Sequence, residues 1–198
     1  MPAPWWGAAV AALAYLGLVA RHIMGPLRAL KMLPALLLAA AVAPSSTYGA
    51  AALVASAAGD AFLLDKTRFL LHGLAAFLVG HALFAAAFVG ASGEWPSPVV
   101  LGALALLAGT VTAVVRPRSG TLRVAVPVYA LGLCAMAATA TTLGPIGGTG
   151  GAAFLVSDAI LAVHQFKRPV PGRDLLVAST YYGALLALSA ALLTATSS

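Results

Sequence analysis

Residues 151–167 read GAAFLVSDAILAVHQFK. The stretch is apolar enough to lie in a membrane, yet Asp158 stands near its middle, with Ser157 beside it and Gln165 two turns on. A charged side chain at that depth costs at least about 2.5–3.5 kcal/mol on insertion scales. A carboxylate placed there needs a partner, a proton or a task. Residues 50–64 make the same choice with Asp60. The chain has five acidic residues, and these two lie inside hydrophobic segments. The remaining sequence reads as a scaffold that brings them together.

Composition agrees with a membrane setting. Of the 198 residues, 62% are hydrophobic and 8% charged, where soluble domains carry roughly 25% charged residues. Mean hydropathy is +1.00. A single domain over residues 1–198 is expected, with no room for a soluble one. The formal net charge of +6 does not indicate nucleic acid, because the basic residues sit in short loops and no basic run is interleaved with aromatics. The one cysteine, Cys134, lies in an apolar segment, which excludes disulfides and thiolate metal sites. The first apolar segment opens on Trp5 and Trp6 without a basic stretch before it, so no cleavable signal peptide is expected. The four histidines show no metal-binding spacing, and no G-x-S-x-G occurs. Neither a metal nor another cofactor is expected.

Eight spans are predicted, at residues 5–20, 30–43, 48–64, 69–90, 99–115, 122–143, 151–167 and 175–194. Residues 144–151 read as a glycine-rich external connection. The loops after spans one, three, five and seven hold all eleven Lys and Arg residues, and the alternate loops hold none. By the positive-inside rule those four loops are cytoplasmic and both termini lie outside. The expected architecture is an all-α polytopic bundle in the cell membrane.

Direction then gives depth. Asp60 stands about 6 Å, and Asp158 about 9 Å, from the inner ends of their spans at 1.5 Å per residue. Tyr129, Tyr181, Tyr182, Ser157 and Lys31 fall in the same inner half, and His81 lies deeper. Polar side chains from separate spans converge on one level, as in a site open to the inner leaflet. Asp60 has a plainer alternative, an ion pair with Lys31, Lys66 or Arg68.

These residues carry a resemblance. Lys31…Pro34, Gly59-Asp60-x-Phe62-Leu63-Leu64, Phe77…His81-x-x-Phe84, Tyr129, Gly151-Ala152…Phe154…Ser157-Asp158-x-x-Leu161-Ala162…Phe166 and Tyr181-Tyr182 occur in order. The set resembles the YhhN family of eight-helix membrane proteins, the lysoplasmalogenases. Two departures stand out. Met32 and Leu33 separate Lys31 from Pro34, and residues 184–186 lack a glutamine that often follows the tyrosines.

The resemblance implies hydrolysis of the vinyl ether bond of a lysoplasmalogen, a lysophospholipid, to a fatty aldehyde and a glycerophospho-base. That chemistry needs one acid kept protonated by an apolar setting and one ionised carboxylate that steadies an oxocarbenium ion and activates water. Asp158 is the candidate acid and Asp60 the candidate carboxylate, and the assignment could be reversed. Tyr129, Tyr181 and His81 would orient water or the ether oxygen. Lys31, with Lys66 or Arg68, would meet the phosphate headgroup, and membrane lipids would surround the bundle. No metal is required. Rival readings are a proton-coupled transporter and a non-catalytic lipid-binding bundle. An aspartyl intramembrane protease is disfavoured, because Ala57 stands where its G-x-G-D motif needs glycine. Oligomeric state has no signal in the sequence.

Overall fold

The computed structural model describes residues 1–23, 26–115 and 120–196, without the side chains of Pro26, Leu27 and Lys66. The predicted-loop residues Gly25, Arg116, Pro117, Arg118 and Ser119 lie outside them. The chain runs α1 Ala3–Ala20, a 3₁₀ segment Pro26–Met32, α2 Leu33–Val42, α3 Thr47–Phe62, α4 Lys66–Ser92, α5 Pro98–Val115, α6 Leu122–Ala140, α7 Gly144–Phe166 and α8 Arg173–Ala195. Short 3₁₀ turns at Leu63–Asp65 and Thr141–Leu143 join α3 to α4 and α6 to α7. There is no strand among the described residues.

Local chemistry explains several helix ends. Ser46 accepts a hydrogen bond from the Gly49 amide at 3.0 Å and Asp65 accepts one from Arg68 at 3.3 Å, each satisfying a free amide at a helix start. Prolines occupy the first turns of α1, α2 and α7, where no amide hydrogen is needed. Gly93, at φ 68°, closes α4 in the left-handed conformation.

Six stretches are long and apolar enough to cross a membrane, and the protein is a multi-pass membrane protein. One of these stretches, Leu122–Phe166, is 45 residues long. It is not one rod. The chain turns back at Gly144, at φ 79°, so that Gly151 packs on Ala137. By contrast α2 has ten residues, about 15 Å of helix and half a hydrocarbon core.

Cross-helix contacts fix direction. Trp5 meets Ser189 and Tyr15 meets Tyr182, so α1 and α8 are antiparallel. Gly59 against Phe77 and Gly80 against Ala52 make α3 and α4 antiparallel. Gly151 against Ala137 and Gly147 against Ala140 do the same for α7 and α6, and Gly150 against Leu188 for α7 and α8. Gly49 against Leu192 sets α3 antiparallel to α8 as well, so Arg21, Arg68, Arg123, Lys167, Arg168 and Arg173 gather at one end of the bundle. Exposed Trp6 and Trp95 stand at the other, the amphipathic aromatic pattern of a membrane interface.

The sequence-based boundaries need two corrections. Residues 144–151 are the first two turns of α7, not a loop. Glycine is a poor helix former in water, but here it permits close approach between helices. A Cβ on Gly147 would sit 2.2 Å from the Ala140 carbonyl oxygen. The second correction concerns Lys31. It lies in the 3₁₀ segment before α2, not at the start of the α-helix, which begins only at Leu33.

Candidate active site

Asp60 sits in the last turn of α3 and is 1% exposed. Glycine places it there, since Gly59 faces the ring of Phe77 so closely that a Cβ would stand 2.5 Å from it. One Asp60 oxygen, Oδ1, lies 2.6 Å from Lys31 Nζ, whose side chain is 21% exposed. Of the cations offered by the sequence, Lys31 is the partner among the described residues, which do not include the Lys66 side chain. Arg68 instead stacks its guanidinium over Phe69 at 5.1 Å. The other Asp60 oxygen, Oδ2, has no hydrogen-bond partner among the described residues.

The lysine is held from its backbone. Tyr182 of α8 donates its hydroxyl hydrogen to the Lys31 carbonyl at 2.9 Å. Its neighbour Tyr181 lies with its ring 5.9 Å from Lys31 Nζ and its hydroxyl turned to Asp60, unpartnered by hydrogen-bond geometry. Behind Tyr182, the ring of Tyr15 packs edge-on at 5.7 Å. Tyr15 is a residue that sequence reasoning missed. A signal was present: Ala8, Ala12, Tyr15 and Val19 are the buried positions of α1, spaced as one helical stripe.

Asp158 lies in α7, one third of the way from its C-terminal end. Tyr129 of α6 donates its hydroxyl hydrogen to Asp158 Oδ2. Neither of the described salt bridges involves Asp158, so the two acids occupy unlike settings. Aromatic rings join them. His81 of α4 lies 5.2 Å from the Tyr129 ring and 5.1 Å from the Phe154 ring, both edge-on. Phe154 packs edge-on against Tyr181 at 5.5 Å, and Tyr181 borders Asp60.

The structure therefore brings Lys31, Asp60, His81, Tyr129, Asp158, Tyr181 and Tyr182 into one continuous cluster supplied by α3, α4, α6, α7, α8 and the 3₁₀ segment. Ser157 is buried but turned away, donating to the Val177 carbonyl of α8 at 3.3 Å. It ties α7 to α8. His81 is 1% exposed, and neither ring nitrogen has a hydrogen-bond partner among the described residues. Among the described residues no group of three or more His, Cys, Asp or Glu side chains could hold a metal ion. A groove between α5 and α6, around Ala108, Thr112 and Pro127, includes none of the cluster residues.

Chemically, the cluster offers an ammonium-paired carboxylate, a phenol-bonded carboxyl, and unengaged polar atoms in an interior walled by aromatic rings. Such an arrangement suits acid–base work on an apolar molecule with one polar end.

Comparison with known proteins places the chain in a family. Lysoplasmalogenase TMEM86A of Bos taurus is 36% identical over 163 residues, a match covering 74% of this chain and 66% of that protein. Its Homo sapiens counterpart is 37% identical over 165 residues, with the same coverage. Homo sapiens lysoplasmalogenase TMEM86B is 34% identical over 166 residues, covering 80% of this chain and 72% of that one. The chain thus spans just under two thirds of the TMEM86A relatives. No solved structure matches. The profile of the YhhN family matches residues 26–192. That match runs from the segment carrying Lys31 to the far end of α8, and the chain belongs to the YhhN family.

Proposed function

We propose that this protein hydrolyses the vinyl ether bond of a lysoplasmalogen. The observation that carries the reading is the pair of buried acids in unlike settings, joined through one aromatic-walled cluster. Relatives named lysoplasmalogenases support it.

The chemistry closes with two carboxyls. Asp158 gives its proton to the alkene carbon distal to oxygen, which leaves an oxocarbenium ion. Asp60, held ionised against Lys31, stabilises that cation and takes a proton from the water that adds to it. The hemiacetal then collapses. Its hydroxyl proton returns to Asp158, and Asp60 protonates the departing glycerol oxygen. Fatty aldehyde and glycerophospho-base leave, and both carboxyls return to their starting states. Lys31 reaches toward the basic end, where it and Arg68 are the cations for a phosphate headgroup.

The same proposal includes the topology: eight spans with the short α2 among them, both termini outside, and the cluster open to the cytoplasmic leaflet. The gathering of basic residues at one end supports it.

Asp60→Asn and Asp158→Asn are each expected to abolish aldehyde release from a lysoplasmalogen in detergent while size-exclusion behaviour stays unchanged. Retained activity in both variants, or no turnover by the unaltered protein, refutes the reading. Retained activity in Asp60→Asn alone would assign the Lys31–Asp60 pair to structure.

A further inference from the structure

An accounting of polar groups in the cluster leaves very few atoms free. The Tyr129 hydroxyl is spent on Asp158, and the Tyr182 hydroxyl on the Lys31 carbonyl. Ser157 is spent on Val177, and Lys31 on Asp60. What remains is His81, the Tyr181 hydroxyl and Asp60 Oδ2. His81 is the outlier, because both nitrogens of its ring lack a partner at 1% exposure. A neutral imidazole carries one N–H donor and one bare acceptor. Leaving a buried polar group unmade costs about 1–3 kcal/mol, and buried polar groups in native proteins find protein or water partners. The walls around His81 are rings, Tyr129 and Phe154, presented edge-on. Neither ring makes a hydrogen bond to the His81 nitrogens. Tyr129 is the same side chain that holds the proposed proton donor Asp158.

We propose that His81 binds the water molecule that hydrolyses the substrate. Its bare ring nitrogen accepts a hydrogen bond from that water and aims the oxygen lone pair at the oxocarbenium carbon. The N–H is met by a second, fixed water, as buried waters commonly satisfy such groups. In the step itself a C–O bond forms between water and the carbon, and the π pair of the oxocarbenium returns to the ether oxygen. The remaining proton of the added water passes to the Asp60 carboxylate. His81 keeps no proton, so its contribution is placement of the nucleophile. This rests on the vinyl ether reading above and adds the residue that selects water.

Methanol competition tests it. Methanol added to the reaction traps the oxocarbenium as a mixed methyl acetal, which mass spectrometry distinguishes from the aldehyde. In the unaltered protein, aldehyde is expected to dominate. His81→Leu is expected to lower the rate by roughly 100-fold, the loss that misplacing a reacting group by about 1 Å brings. It should also raise the acetal-to-aldehyde ratio several-fold. His81→Gln, which keeps a donor and an acceptor, should restore the ratio toward the original. If His81→Leu does not fold, His81→Val, which likewise carries no polar atom, decides: an acetal-to-aldehyde ratio raised several-fold supports the proposal, and a ratio equal to that of the unaltered protein overturns it. A slow His81→Leu with an unchanged ratio means that the histidine only packs, and overturns the inference while leaving the vinyl ether reading intact. Absence of aldehyde from the unaltered protein overturns both.

Discussion

Removing Lys31 while leaving Asp60 tests whether the ion pair is as costly to break as its burial implies. Asp60 is 1% exposed, and Lys31 Nζ stands 2.6 Å from it. In Lys31→Met the carboxylate keeps its buried place and loses its only ionic partner among the described residues. Breaking a buried pair by deleting one side costs about 3–5 kcal/mol. Lys31 is 21% exposed, so water already screens part of the attraction, and the lower end, about 3 kcal/mol, is the expected loss. For a chain of this length each kcal/mol moves the unfolding midpoint by about 2–4 °C, giving a fall of about 6–12 °C. Asp60→Asn in the same background removes the stranded charge. The double variant Lys31→Met/Asp60→Asn should recover most of the loss, with a coupling above about 1 kcal/mol. Thermal unfolding of the four proteins in one detergent, followed by tryptophan fluorescence, provides the cycle. Additive effects within about 0.5 kcal/mol would show that the two residues do not sense each other, and the electrostatic account of the site would fail.

Tyr129→Phe removes the hydrogen bond to Asp158 and should lower kcat/KM by about 10- to 100-fold, since Asp158 becomes a carboxylate as it gives up its proton and hydrogen bonds to charged groups contribute about 1.5–3 kcal/mol; an unchanged value in the aldehyde assay would contradict it. Gly147→Ala places a methyl 2.2 Å from the Ala140 carbonyl and should destabilise by about 1–3 kcal/mol. Gly148→Ala, whose nearest neighbour is a methyl at 3.8 Å, should stabilise α7 by about 0.5–1 kcal/mol, so melting midpoints that move together refute the packing argument. Tyr182→Phe frees the Lys31 carbonyl and should cost about 1 kcal/mol, with faster hydrogen exchange confined to the amides of Pro26–Met32 and α2; exchange unchanged there would remove the tyrosine's anchoring role.

Charge was the most legible feature of this sequence. Asp60 and Asp158 stand out because a carboxyl in an apolar run needs a partner, a proton or a task. The sorting of basic residues into alternate loops was legible because topology imposes it on sequence directly. The tyrosines and His81 followed from counting depth along helices. Less legible was whatever depends on tertiary neighbours. Three cations lay within sequence reach of Asp60, and only the placement of the 3₁₀ segment selected Lys31. Gly144 to Gly151 looked like a loop because glycine in water disfavours helix, whereas its value between packed helices appears only once Ala137, Ala140 and Leu188 are known to lie opposite. Tyr15 was obscured by its surroundings, an alanine-rich helix in which a small-residue stripe is easily taken for filler. Phe154, four residues before Asp158 and on the same face, could have been read as a wall of the site.

The first helix has no charged side chain and precedes the part of the chain that matches the family, yet it governs the position of a cation. Tyr15 backs Tyr182, Tyr182 holds the backbone of Lys31, and Trp5 fastens the opposite end of the helix to Ser189 at 3.1 Å. Force applied to α1 would therefore reach Lys31 through rigid rings without passing through any polar group of α1 itself. A segment that contributes no acid or base is the brace behind the tyrosine that holds the Lys31 backbone.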